Sequence, residues 1–236
     1  MAQLQGTRRV ERAGREFWLG SLQGQVLVLG LSRIGKVAAA TTATALIEHF
    51  AVQRIVFTGV AGALGDAVNV GDVVVATGFV QHDMDASPLF PRFELPLYRQ
   101  SLFACDAGLT ALLFNASQAT LNVMPGGVRV ISPPAKPVVH QGLIASGDRF
   151  ISTAQSAGGL KLALRAAGMD PLAVEMEGAA VAQVCHDYGV PFAAVRTISD
   201  RADDNATTDF QHFVTHVASH YALGIVNHLV RALVKQ

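Results

Sequence analysis

The chain has 236 residues, of which half are apolar and only 15% are charged, with 18 basic against 18 acidic residues. A neutral chain gives no electrostatic footprint for nucleic acid or an anionic membrane, so we expect neither as a partner. The basic N-terminus has no apolar core of a signal peptide, and no apolar run reaches the roughly 18 residues of a membrane span. We therefore expect a cytoplasmic protein in which Cys105 and Cys185 are buried free thiols.

Predicted strands alternate with predicted helices along the chain. The more alternating Glu16–Leu22 predicts an edge strand, and runs apolar at nearly every position predict strands covered on both faces: Gln25–Leu31, Arg54–Thr58, Asp72–Thr77, Gly142–Ser146, Leu172–Glu175 and Phe192–Ile198. Helical spacing predicts helices over Gly35–Phe50, Asp106–Leu121, Thr153–Ala167, Gly178–Tyr188 and Thr208–Val234. The proline-rich segments Gln81–Ser101 and Pro125–Val139 predict surface loops. This order predicts one α/β domain over residues 1–236, with a mixed, mostly parallel central sheet flanked by helices on both faces.

Three motifs each lack a feature that the binding site they suggest would need. Gly30–Val37 follows a strand and opens a helix like a phosphate-binding loop, but Val37 stands where such a loop needs Ser or Thr for magnesium. The glycines of Thr58–Gly65 do not have dinucleotide-binding spacing. His212, His216 and His220 recur every fourth residue, as paired metal ligands can, yet no acidic or cysteine ligand accompanies them. We expect no metal and no cofactor.

Two polar clusters stand at the ends of buried strands. Glu175 and Glu177 lie where an apolar strand runs into a helix. Carboxylates at such a position can bind sugar hydroxyls or face a developing positive charge. Interaction with the helix dipole is the alternative interpretation, and it would account for one of the two glutamates. Ser199 stands beside Asp200 and can orient its carboxyl, and Arg196 within the strand is an inward cation that needs an anion or a water network. A helix cap by Asp200 is the alternative interpretation.

Together these segments resemble the purine and uridine phosphorylase superfamily, and within it the 5'-methylthioadenosine/S-adenosylhomocysteine nucleosidases. The matching stretches follow the family's order: Ile34–Ala40, Thr58–Gly62, Asn69–Val75, His82–Asp83, Ser146–Ile151, Ala173–Glu177 and Val195–Asp200. The resemblance implies a three-layer nucleoside phosphorylase-like fold, a homodimer, and hydrolysis of the N-glycosidic bond of a 5'-substituted adenine nucleoside.

The resemblance also implies roles for individual residues. Asp200 would protonate N7 of the purine with Ser199 orienting it, Glu177 would bind the ribose hydroxyls and face the oxocarbenium-like transition state, and Arg196 would hold the nucleophile side. Phe150 would stack on the base, the Ile151 backbone would read its edge, and Met176 would pack near the ribose. The remaining implied substrate contacts are Glu175, Val60, Ala61, Gly62, Ile34 and Phe210, the last from the neighbouring subunit.

Two departures from the family keep alternatives open. Apolar residues fill Arg54–Gly62, where the phosphorylases carry arginine and serine, which favours water as the nucleophile; many of the nucleosidases, however, have serine where this chain has Val60. Family members begin with a buried strand and a glutamate that activates the water, whereas here Glu16–Leu22 comes too early, so we expect that first strand to be missing. The alternatives are a phosphate-dependent purine nucleoside phosphorylase and a truncated, weakly active nucleoside-binding member.

Overall fold

The computed structural model describes residues 4–123 and 136–234, apart from the side chains of residues 208, 212 and 216. Most of the predicted loop Pro125–Val139, and the ligand atoms of His212 and His216, therefore lie outside the described residues. Within the described part, no helix combines the length and apolar character needed to cross a membrane.

A six-stranded sheet forms the centre of the α/β fold, in the order β6-β5-β7-β8-β4-β9. Its strands are β4 (Ile55–Ala63), β5 (Val73–Gln81), β6 (Leu102–Ala104), β7 (Val139–Ser146), β8 (Ala173–Glu175) and β9 (Phe192–Asp200). A further pairing of β5 with β9 closes five of these strands into a ring. The predicted α/β class is confirmed, but the sheet is a closed, mixed one.

The ring closes because β5 divides one of its edges between two partners. Val73–Val75 pair antiparallel with β9, and Gly78–Val80 pair antiparallel with β6, with an irregularity between Ala76 and Gly78. A bulge of this kind bends a strand and increases its twist, which lets it meet strands on two sides. Since β4 also pairs antiparallel with β8, the sheet is not the mostly parallel one that we predicted.

A second, antiparallel sheet is formed by β1 (Gln5–Arg12), β2 (Arg15–Leu22) and β3 (Gln25–Gly30). The prediction of an edge strand at Glu16–Leu22 is wrong, because β2 lies between β1 and β3. The prediction that Gln25–Leu31 is buried is also wrong: Val26 is 72% and Leu31 is 78% exposed. Local apolarity identifies a strand, but whether a second element covers it depends on tertiary packing.

In the described part of the chain, six helices pack around the central sheet: α1 (Lys36–Phe50), α2 (Ala107–Val123), α3 (Ala154–Ala166), α4 (Gly178–Tyr188), α5 (Ala206–His216) and α6 (Ala218–Leu233). The predicted C-terminal helix is thus two helices, with a break at Val217. Val217 is buried in one apolar cluster with Phe213 and Tyr221, so the break lets α5 and α6 contribute to the same core.

The core lies on both faces of the central sheet. One cluster joins α1 and α4 to β4 and β5 through residues such as Ala43, Phe79 and Ala179. A second joins α2, α5 and α6 to β5 and β9 through Leu113 and Val195. Burying each large apolar side chain stabilises the fold by about 1.5–3 kcal/mol, so both faces contribute.

Candidate active site

The last residues of β4 and β9 come together with those of β7 and β8 at one edge of the central sheet, where β4 pairs antiparallel with β8. Parallel β4 and β9 place Gly62 opposite Asp200, and parallel β7 and β8 place Ser146 opposite Glu175. Because ligands of α/β sheets bind at the carboxyl ends of parallel strands, the polar residues at this edge define the candidate site.

Asp200 ends β9 and is buried, with only 2% of its surface exposed. Its Oδ2 accepts a hydrogen bond from Ser199 Oγ at 2.7 Å, and its Oδ1 accepts one from the Ala202 amide at 2.9 Å. Burial raises the pKa of Asp200, and its hydrogen bonds with Ser199 and Ala202 oppose this shift without cancelling it. A carboxyl with a raised pKa retains its proton closer to neutral pH, as a general acid requires.

Gly62 allows Asp200 to lie against β4. A Cβ on Gly62 would be 2.8 Å from Asp200 Oδ1 and 3.2 Å from the Cβ of Ala202. A side chain here would force the acid to move, so the glycine is required by close approach rather than by backbone conformation.

Glu175 is held by four groups. Arg196 Nη2 donates to its Oε2 at 2.7 Å, Ser146 Oγ donates to its Oε1, and the amides of Glu177 and Gly178 donate to the carboxylate at the start of α4. The Glu175 and Arg196 side chains are 2% and 1% exposed. A buried ion pair with this many donors fixes its members in place, which makes Glu175 an anchor for the site.

Arg196 is fixed on its other sides as well. Its Nη1 donates to the carbonyl oxygens of Val195 at 3.2 Å and Phe57 at 3.4 Å, and its guanidinium carbon lies 4.2 Å from the centroid of the Phe57 ring. A Cβ on Gly59 would lie 3.2 Å from Nη1. The cation is therefore packed from several directions and committed to Glu175.

Glu177 lies between β8 and α4, at the N-cap of α4. Its Oε1 accepts a hydrogen bond from the backbone amide of Gly35 at 2.8 Å. Burial and the neighbouring Glu175 raise the pKa of Glu177, while the Gly35 amide and Arg196 lower it, with a net upward shift. In its ionised form this carboxylate can accept hydroxyl hydrogen bonds or stabilise a nearby cation.

An aromatic pair lies near this edge. The ring centroids of Phe150 and Phe210 are 5.8 Å apart at an angle of 68°, and Phe150 is 41% exposed. Ile151, the next residue, is 7% exposed and packs with Leu64 and Ala202. A half-exposed ring beside a packed backbone suits stacking on a planar heterocycle.

A proton-holding acid, a second carboxylate and an aromatic face form a site that can cleave a bond to a heterocyclic leaving group. The acid would protonate the leaving group, and the carboxylate would stabilise positive charge that develops on the other fragment. Among the side chains that the structure describes, no cluster of three or more His, Cys, Asp or Glu could hold a metal ion.

Comparison with known proteins agrees with this geometry. The model of the phosphorylase superfamily matches residues 2–231. The chain belongs to the phosphorylase superfamily. A curated 5'-methylthioadenosine/S-adenosylhomocysteine nucleosidase of Shewanella denitrificans is 35% identical over 214 residues, which cover 91% of this chain and 85% of that relative.

Solved structures of a nucleosidase and of a futalosine hydrolase are also similar to this chain. S-adenosylhomocysteine nucleosidase from Streptococcus pyogenes, in complex with 5-methylthiotubericidin, is 31% identical with a TM-score of 0.83, covering 98% of this chain and 90% of that one. Futalosine hydrolase of Helicobacter pylori is 29% identical with a TM-score of 0.82, covering 97% of this chain and 89% of that one.

The fold brings most of the predicted superfamily residues together. Ser199 Oγ lies 3.3 Å from the carbonyl oxygen of Ala61, which joins β4 to the acid. Ile34, 76% exposed, precedes the glycine that contacts Glu177, and half-buried Met176 lies between the two glutamates. The residues placed at this edge are Asp200, Ser199, Ala61, Gly62, Glu175, Met176, Glu177 and Arg196.

Two predicted residues are placed differently from the rest. The side chain of Val60 packs against the α2, α5 and α6 cluster, so its backbone is what it can offer to a ligand at the sheet edge. Phe210 lies on α5 and its ring contacts Phe150 within the chain; its contribution to the site of a neighbouring subunit stays a prediction.

Several residues that support the candidate site were not predicted from sequence. Ser146 bridges Glu175 and the Ala179 amide, and Lys36, Asp83 and Asp148 connect the start of α1 to the loop before Phe150. All four lie inside the matching stretches, but their pairings join residues far apart in the chain, and a single sequence does not report such contacts.

Proposed function

We propose that this chain hydrolyses the N-glycosidic bond of a 5'-substituted adenine nucleoside, methylthioadenosine or adenosylhomocysteine, and releases adenine. The observation that carries the proposal is the buried, serine-bonded Asp200 at the same sheet edge as Glu177. Protonation of N7 by Asp200 makes adenine a leaving group, and ionised Glu177 stabilises the ribosyl cation that remains. The family and its curated nucleosidases support this assignment.

The substrate is positioned by the rest of the site. Phe150 stacks on the adenine, the Ile151 backbone reads its edge, and Met176 packs on the ribose, whose hydroxyls bind Glu177. The backbone of Val60, Ala61 and Gly62 lines the end of β4 beside Asp200. The similar solved structures include both a nucleosidase and a futalosine hydrolase, so the 5' preference is defined by assay of both kinds of substrate.

Water is the proposed nucleophile. A phosphate dianion needs several charge-assisted donors. Arg196, the cation expected on the nucleophile side, already donates to Glu175 and to the carbonyls of Phe57 and Val195. Both Nη groups are thus committed, and the Nε is buried without a partner in the described residues, so the guanidinium is poorly placed to bind a phosphate, which favours hydrolysis.

The test is adenine release from methylthioadenosine by this chain, followed by chromatography with and without added phosphate. Phosphate-independent release supports the proposal, and an Asp200→Asn preparation made in parallel excludes a contaminating enzyme. Release that requires phosphate would identify a phosphorylase, and tight adenine binding without release would identify a weakly active member. Adenosylhomocysteine and futalosine as further substrates define the 5' preference.

We also propose that β4 accepts one further strand, the first strand that the family resemblance implies. In the described residues, the β4 edge from Ile55 to Ala61 that faces away from β9 has no strand partner, and β3 pairs only with β2. Helix α1 connects β3 to β4. In most strand–helix–strand units the two strands lie in one sheet, whereas here β3 and β4 lie in different sheets. Full activity without an added strand would contradict a requirement for this strand, and a large increase when such a strand is supplied would support it.

We propose that the protein acts in the cytoplasm as a homodimer, in purine and methionine salvage. Leu89 and Leu97 are 83% and 88% exposed in the segment between β5 and β6, and a second subunit would remove such surfaces from water. Sedimentation equilibrium at micromolar concentration tests the dimer; a monomer would contradict it.

A further inference from the structure

The N-terminus of α1 is capped by two carboxylates from distant parts of the chain. Helix N-termini expose amides that need acceptors, and Gly35 supplies no side-chain cap. The Gly35 amide donates to Glu177 Oε1 at 2.8 Å, and the Lys36 amide donates to Asp148 Oδ1 at 2.7 Å. The ribose-binding carboxylate of the proposed reaction is therefore attached to the start of α1.

A closed set of interactions holds Asp148 at this position. Its own amide donates to Asp83 Oδ2 at 2.8 Å, and Asp83 Oδ1 pairs with Lys36 Nζ at 2.5 Å. The Lys36 ammonium also donates to Gln81 Oε1 at 3.0 Å. We call this circuit, which runs from the Lys36 amide through Asp148 and Asp83 back to the Lys36 side chain, the Lys36–Asp83–Asp148 clasp.

The ion pair of the clasp is partly buried, whereas Asp148 is exposed. The side chains of Lys36 and Asp83 are 16% and 30% exposed. Burial raises the pKa of Asp83, but Lys36 and the Asp148 amide lower it by more, so the carboxyl is held as an anion. An ionised pair in this environment stabilises one geometry more than a surface pair does.

The amide that binds Glu177 depends on this geometry. Gly35 has φ of +93°, a conformation that side chains disfavour, and a Cβ there would lie 3.1 Å from Asp148 Oδ1. The groups that face Glu177 are Glu175 from β8, Arg196 from β9, the Met176 backbone and the Gly35 amide at the N-cap of α1. Of these, the Gly35 amide is the one whose position the clasp controls.

We propose that the Lys36–Asp83–Asp148 clasp positions the Gly35 amide against Glu177, so that Glu177 is oriented and ionised when the nucleoside binds. The proposal rests on the proposed function for the role of Glu177. Lys36, Asp83 and Asp148 are positioning residues, since they act through the start of α1. The same clasp fixes the loop that leads from Asp148 to Phe150, which couples ribose and base recognition.

The test compares Asp83→Asn, which removes the charge paired with Lys36, with the matched control Asp85→Asn in the same segment, where Asp85 contacts Ser87 and Arg92. Loss of a charge-assisted contact is expected to lower kcat/KM of Asp83→Asn at neutral pH by about 10-fold, with the control unchanged. The acid limb of its pH profile should move to higher pH, because a displaced amide no longer lowers the pKa of Glu177.

A second readout does not depend on turnover. The carboxyl carbon of Glu177 is titrated by NMR without substrate and assigned with Glu177→Gln; its midpoint should be higher in Asp83→Asn than in Asp85→Asn. If the wild type releases no adenine, the proposed function fails while this titration still tests the clasp. Equal midpoints and equal acid limbs in the two variants would overturn the clasp.

Two substitutions of Lys36 distinguish loss of the clasp from a general failure to fold. Lys36→Arg retains the cation and should restore most of the wild-type pH profile, whereas Lys36→Met should reproduce the shift of Asp83→Asn. Thermal unfolding of each variant identifies any loss caused by general instability. Identical profiles for Lys36→Arg and Lys36→Met, both folded, would also overturn the proposal.

Discussion

Replacing Arg196 with Met tests whether the buried pair with Glu175 holds the site together. The substitution removes the Nη2 donor at 2.7 Å and leaves Glu175 in a position where its side chain is only 2% exposed. Breaking a buried pair in this way costs about 3–5 kcal/mol, because the remaining charge has no counterion. Ser146 and the amides at the start of α4 still donate to Glu175, so we expect the lower part of that range.

The assay is urea unfolding followed by far-ultraviolet circular dichroism, with the slope compared among variants. Arg9→Met is the matched control, since Arg9 and Glu16 form the same kind of pair with side chains 53% and 51% exposed. Such an exposed pair contributes less than about 1 kcal/mol.

The double variant Arg196→Met/Glu175→Gln distinguishes the cost of leaving one buried charge unpaired from the cost of losing the ion pair itself. Removing both charges leaves no unpaired ion, so its loss of stability should be smaller than the sum of the two single losses. A loss below about 1 kcal/mol for Arg196→Met, or additive losses in the double variant, would refute the reasoning.

Three further predictions concern the acid and its surroundings. Asp200→Asn should lower kcat for adenine release by about 10²–10⁴-fold. In the wild type, release should fall as pH rises through the raised pKa of Asp200, because only the protonated carboxyl donates. This basic limb of the pH profile should be absent from any residual activity of the variant. Gly62→Ala should lower kcat by about 100-fold, because its Cβ would lie 2.8 Å from Asp200 Oδ1. The control Gly158→Ala lies in α3, where the added Cβ would have nothing within 4 Å, so it should raise the free energy of unfolding by about 0.5–1 kcal/mol without affecting kcat. Ser146→Ala should cost about 1–3 kcal/mol in urea unfolding, since it leaves the buried Ala179 amide and Glu175 each short of a partner; a loss near zero would show that other groups replace the hydroxyl.

The helices and most central strands could be predicted from the sequence because their signals are local. The predictions for α1 and α4 agree with the structure to within a residue at each end, and the apolar runs at Arg54–Thr58 and Phe192–Ile198 lie in β4 and β9. Even there, β4 continues through the glycines to Ala63, since strand pairing with β9 and β8 overrides their low strand propensity.

Strand pairing could not be predicted in the same way. The short β6 and the antiparallel contact of β5 with β9 depend on how β5 bends near Thr77, and the central position of β2 depends on its neighbours. Val26 on β3 is 72% exposed, although its apolar run predicted a strand covered on both faces. These features arise from contacts between distant segments, which leave no periodicity in any one of them.

The sequence by itself determined the residue types that the chemistry needs and their place at the ends of strands: two glutamates before α4, and the serine–aspartate pair that ends β9. Only the tertiary structure decided what each of them does. Glu175 is an anchor because Arg196 and the α4 amides converge on it, while Glu177 is available to a ligand because a single amide from α1 holds it. Two carboxylates two residues apart have the same chemistry in sequence, and the groups packed around each one set its charge, orientation and role.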